Sequence, residues 1–200
     1  VSSPITCIFT AYLVYKITFH MVKNRVDYEN IFKILLLFSL IFSAYSFGAN
    51  DVGNATGVYL TVTEKVLGFP DVNTRLFLAL IGSLGIAVGG FTLGWRVIET
   101  AAYKITKLEL LSSFSAELTN ALIVWLYTTI PYMLFGWGLP ISTTYASISS
   151  IIGVGLARGG WRSVNWRVVA VILSSWVLTL PATMGLAFTL NYVIRMFIMV

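Results

Sequence analysis

Five stretches of this 200-residue chain, residues 4–22, 34–63, 76–95, 110–157 and 168–200, are too long and too apolar for the core of a water-soluble domain. A soluble fold needs charge to cover its surface. Here only 10% of the residues are charged, 58% are hydrophobic and the mean hydropathy is +0.86. A lipid bilayer suits such a chain. Polar and apolar residues do not alternate as barrel strands require, and a helix satisfies its own backbone groups in lipid. The expected fold is an all-α integral membrane protein, a helical bundle forming a single transmembrane domain over residues 1–200. The first stretch lacks a basic leader and a small-residue cleavage site, so it reads as a span, and the start at Val1 points to a fragment or a processed product. Cys7 is the only cysteine, which excludes an internal disulfide.

Charge orders the connections. Segments 23–33, 96–109 and 158–167 hold Lys23, Arg25, Lys33, Arg96, Lys104, Lys107, Arg158, Arg162 and Arg167, whereas 64–75 holds only Lys65 and Arg75. Basic loops collect on the cytoplasmic side, so the first three are expected there, in a multi-pass protein of the cell membrane. Topology accounts for the net charge of +5 without any nucleic-acid partner.

Two apolar segments carry polar groups that a bilayer tolerates only for a reason. Segment 34–63 contains Gly48-Ala49-Asn50-Asp51-Val52-Gly53-Asn54-Ala55. The glycines permit unwinding, and the helix is expected to break near 48–53. Freed carbonyls, the amide oxygens of Asn50 and Asn54 and the Asp51 carboxylate are hard oxygen ligands that suit a small cation. The alternative is that these groups hold neighbouring helices together by hydrogen bonds. Segment 110–157 is interrupted by Gly136-Trp137-Gly138-Leu139-Pro140 and resumes after Ile141-Ser142-Thr143-Thr144. It reads either as two full spans or as a re-entrant helical hairpin. A helix starting at membrane depth aims free N–H groups and a positive dipole end at its surroundings, and three hydroxyls add donors, an environment that suits an oxyanion. A Ser/Thr cap satisfied by its own helix fits the same pattern. No Lys or Arg falls in either motif, so a buried anion would need a cation beside it.

Other polar residues are less specific. Glu117 stands in the first arm of the hairpin and reads as either a structural hydrogen-bonding group or a second ion or proton site. Glu99 fits an interfacial ion pair and His20 a structural role. Segment 168–200 is long enough to tilt, bend or break at Pro181.

Together the two motifs resemble the inorganic phosphate transporter (PiT) family, whose hallmark is a GANDVANA-like sequence. The similarity continues through Arg96-Val97-Ile98-Glu99-Thr100, Ala116-Glu117-Leu118, Gly138 to Thr144, Ile152 to Gly159, Val164-Asn165-Trp166-Arg167 and Leu180-Pro181. The resemblance implies phosphate uptake driven by Na+ or H+ through two inverted repeats, each with one such motif and one Ser-Thr-Thr hairpin. This chain has one copy of each and is similar to the C-terminal repeat. By that resemblance Asn50 and Asp51 take part in a cation site, and Ser142, Thr143 and Thr144 contact phosphate. Gly53 stands where Ala is usual, Tyr145 where His commonly follows the threonines, and Thr119 to Trp137 is longer than usual. The chain is expected to be no enzyme and to need no cofactor. Its expected partners are phosphate, Na+ or H+, the lipid bilayer and the other repeat half, with a homo-oligomer open. A sulfate transporter or a non-transporting phosphate sensor remains the alternative, while no Ser/His/Asp set or metal-ligand cluster supports an intramembrane hydrolase.

Overall fold

A computed structural model describes residues 2–23, 28–68 and 70–198, and no strand occurs among them. Arg25 and Asp27 of the first basic connection and Phe69 lie outside the described residues. The chain divides into two units, residues 1–164 and 165–200. The first holds α1 (Ser2–Val22), α2 (Tyr28–Leu67), α3 (Val72–Glu99), α4 (Leu110–Phe135) and α5 (Thr143–Gly159). The second is α6 (Trp166–Ile198), a helix continuous through Pro181. Helices α1, α2, α3 (with the turn that follows it), α4 and α6 are long and apolar enough to cross a membrane. Their exposed side chains are those of a lipid-facing surface: Phe91 is 94% exposed and Phe188 73%.

Small and polar side chains share the packing of the first unit with large apolar ones. On α2 the buried residues Ser39, Ser43, Ser46 and Asn50 recur at helical spacing, and α2 packs most extensively against α4, where Ala116, Thr119 and Asn120 are buried. Lipid gives apolar side chains no reason to leave it, so close approach of small residues and hydrogen bonds drive helix association. The Ser46 hydroxyl returns to the Phe42 carbonyl at 2.9 Å, which lets a polar residue sit in this seam without a partner on the next helix. Helix α1 presents Ser3, Cys7, Ala11, Tyr15, Thr18 and Val22 as one stripe toward α4 and α5. Where α1 meets α5, a Cβ on Gly153 would lie 2.3 Å from the Ile8 carbonyl oxygen, so a hydrogen is all that fits.

Helix directions follow from these contacts. The cluster of Val22, Phe32 and Phe114 joins the end of α1 to the starts of α2 and α4. Arg158, at the end of α5, bonds to the Lys107 carbonyl and the Glu109 carboxylate at that same end. The described parts of the three basic connections within this unit therefore gather at one end of the bundle, the one-sidedness that their charge requires. Glu99 pairs with Lys104 at 3.6 Å, half-exposed, as an interfacial pair should. The π-helical turn Thr100–Ile105 brings residues five apart into register.

One expectation is corrected. Helix α2 does not break near 48–53; it is helical through all 40 residues, about 60 Å or roughly twice the hydrocarbon thickness. Gly48 and Gly53 permit unwinding but nothing forces it, because Asn50 reaches sideways to satisfy another segment's backbone. The interruption falls instead in the α4–α5 connection, residues 136–142.

Candidate functional site

The connection from Gly136 to Ser142 sets the site. Gly136 ends α4 in the left-handed conformation, at φ 75°, and its N–H donates to the Tyr132 carbonyl at 2.9 Å. The chain then runs back along the last two turns of α4, where the Leu139 N–H donates to the Tyr127 carbonyl at 3.0 Å. Ile141 reaches the middle of α2. There the Asn50 side chain pairs with both of its backbone groups: Nδ2 donates to the Ile141 carbonyl at 2.7 Å and Oδ1 accepts the Ile141 N–H at 2.9 Å. The Thr128 hydroxyl also donates to Asn50 Oδ1, at 3.0 Å, and the second Nδ2 hydrogen goes to Asp51 at 2.8 Å. Asn50 is fully buried and all four of its hydrogen-bonding positions are used.

The two motifs therefore meet. Asn50 acts as a clamp on the loop, and both lone pairs of its amide oxygen are occupied, so it has none left for a cation in this arrangement. Asp51 is the acid at the junction. Its carboxylate accepts from the Thr143 hydroxyl, at 3.2 and 3.3 Å, and forms no ion pair among the described residues. Asn54, one turn further along α2, is exposed.

Helix α5 starts at this junction. Ser142 caps it, its hydroxyl accepting the Tyr145 N–H at 3.3 Å while its carbonyl accepts the Ala146 N–H at 3.1 Å. Helix geometry leaves the Thr143 and Thr144 amides without acceptors inside α5. Ser142 and Thr144 are exposed and Thr143 is half-buried, so two amides and two or three hydroxyls can face one ligand. The arrangement suits a tetrahedral anion in donors and dipole, but it sets the Asp51 carboxylate beside the same helix start. Anion and carboxylate tolerate each other only with a cation or proton between them.

Glu117 does not join this junction. It lines a separate cavity of about 210 Å³ between α2, α4 and α5, together with Ser113 and Ser147, and the Ser43 hydroxyl lies beside its carboxyl. That places it about 12 Å along α2 from Asp51, given the eight-residue step from Ser43 to Asp51. Sequence reasoning missed Thr128 and Pro131. A proline inside an apolar helix a few residues before Gly138 was the available signal, since it leaves a carbonyl free to bind a returning chain.

Residues 1–187 match the phosphate transporter family. The chain belongs to that family. Among its relatives, a protein of Thermococcus kodakarensis named "Putative phosphate permease" is 36% identical over 175 residues, covering 85% of this chain and 41% of the relative. A Haemophilus influenzae protein of the same name is 36% identical over 171 residues, covering 84% and 39%. The "Phosphate-repressible phosphate permease pho-4" of Neurospora crassa is 31% identical over 163 residues, covering 79% and 26%. The chain spans about two fifths of the length of the first of these relatives. No solved structure matches it. Family and apolar helices together make this member of the phosphate transporter family a multi-pass membrane protein.

Proposed function

We propose that the chain supplies one half of a secondary transporter that carries inorganic phosphate across the membrane together with Na+ or H+. The observation that carries this reading is the contact between Asp51 and Thr143 at the start of α5, in a chain of the phosphate transporter family. Phosphate lies against the Thr143 and Thr144 amides and the hydroxyls of Ser142, Thr143 and Thr144. The coupling cation lies between it and Asp51, with Asn54 within a helical turn and Asn50 holding the loop that presents the anion site. Each ligand raises the other's affinity, because each removes the other's electrostatic penalty. Glu117, in its own cavity, is a second ion or proton site. The α4–α5 hairpin is re-entrant, dipping to the junction and returning, and alternating access exposes the junction to each side in turn.

A complete binding site needs the other half, in inverted orientation, from a longer chain or a separate subunit. The deciding experiment is uptake of labelled phosphate into liposomes holding the chain with and without that half, under Na+ and then proton gradients. The reading expects uptake with both halves and none with one. Gradient-independent uptake, or sulfate moving as well as phosphate, would overturn the coupling or the substrate assignment respectively.

A further inference from the structure

A proline inside a helix leaves the carbonyl four residues earlier without its usual donor. Pro131 lies inside α4, so the carbonyl it frees is that of Tyr127. That oxygen is the one that accepts the Leu139 N–H from the returning loop, at 3.0 Å. Contact at the residue before Leu139 is equally close: a Cβ on Gly138 would stand 2.6 Å from the Thr128 carbonyl oxygen. Two residues after Leu139, Asn50 holds Ile141. The loop thus has two anchors, one on α4 and one on α2, and Ser142 follows the second directly.

We infer that Pro131 is a positioning residue for the anion half-site: by freeing the Tyr127 carbonyl it docks Leu139 and fixes the depth at which α5 begins. An amide-bearing residue at 131 would bring its own N–H to Tyr127, and Leu139 would have to share the acceptor or lose it. Only Pro140 and Ile141 separate Leu139 from Ser142, so slack at the first anchor is passed to the Thr143 and Thr144 amides. The Asn50 clamp holds the N–H and carbonyl of Ile141 and leaves Leu139 and Pro140 unheld. This inference rests on the proposed anion site at the start of α5, and its test separates the two.

The test uses two variants and two readouts. Pro131→Ala restores the helical donor, and a chain carrying the α-hydroxy analogue of leucine at 139 removes the loop's N–H while keeping its side chain. Hydrogen exchange at the Leu139 amide is measured in wild type and in Pro131→Ala, where it should quicken about fivefold, the worth of one net hydrogen bond. Phosphate uptake is measured for all three chains reconstituted with the other half; both variants should raise KM several-fold with Vmax nearly unchanged. Unchanged exchange at Leu139 overturns the inference, as does a fall in Vmax with KM unaltered, which is the mark of fewer folded molecules. If wild type moves no phosphate, the proposed function fails, and exchange at Leu139 alone decides whether Pro131 holds the loop.

Discussion

The Thr143 hydroxyl donates to the Asp51 carboxylate, at 3.2 Å from one oxygen and 3.3 Å from the other, joining two motifs that lie 92 residues apart. The contact leaves the carboxylate without an ion-pair partner among the described residues. Asp51→Asn keeps the size and the hydrogen bond and removes the charge. Phosphate uptake by the completed transporter should fall by about two orders of magnitude, the scale of a lost buried charge partner at about 3 kcal/mol. Its dependence on cation concentration should flatten. Uptake that keeps the wild-type cation dependence would remove Asp51 from the coupling.

Asn50→Ala tests the clamp. It leaves the N–H and carbonyl of Ile141 without partners, at roughly 1–3 kcal/mol for each group that stays buried. The melting temperature in detergent should drop, and proteolysis should begin within residues 136–142. A variant with an intact loop whose only defect is weaker stabilisation by Na+ would return Asn50 to the cation site.

Glycines in this chain should divide sharply on substitution. Gly138→Ala and Gly153→Ala each place a methyl against a backbone carbonyl, 2.6 and 2.3 Å away, and each should cost about 1–3 kcal/mol of stability. Gly48 has nothing within 4 Å of its would-be Cβ. Gly48→Ala should leave the isolated chain as stable or raise its stability by about 0.5–1 kcal/mol. Thermal unfolding of the three variants side by side checks the ordering, and a destabilised Gly48→Ala would show that α2 does unwind there.

Asp71 caps α3 just ahead of the candidate span that begins at Val72. Hydrogen bonds from the Thr74 side chain and amide hold its carboxyl below the usual value. A lowered folded value means the cap is fully present above the ordinary carboxylate range and is lost as pH falls through the lowered one. Hydrogen exchange in the first turn of α3 should quicken over that acid window in wild type, and not in Asp71→Asn, which caps at every pH.

The spans were legible because apolar runs state their own solvent, and the α4–α5 interruption because Gly136, Gly138 and Pro140 break helices wherever they stand together. The cap at Ser142 was readable from its place before a helical pattern. The state of α2 was not: Gly48 and Gly53 make unwinding cheap, and whether it happens depends on what Asn50 can reach. Its partner Ile141 contributes only backbone, which leaves no trace in side-chain identity. Pro131 was in plain view, yet a free carbonyl shows its purpose only beside the donor that takes it.

Gly153 against Ile8 has a mechanical consequence. With a backbone carbonyl seated where a side chain would be, α1 and α5 cannot slide past each other without driving a neighbouring Cβ into that carbonyl. The pair behaves as one strut. A cycle that opens the junction first to one side and then to the other must carry both helices together, and the give has to come where that pair meets α4 and α2.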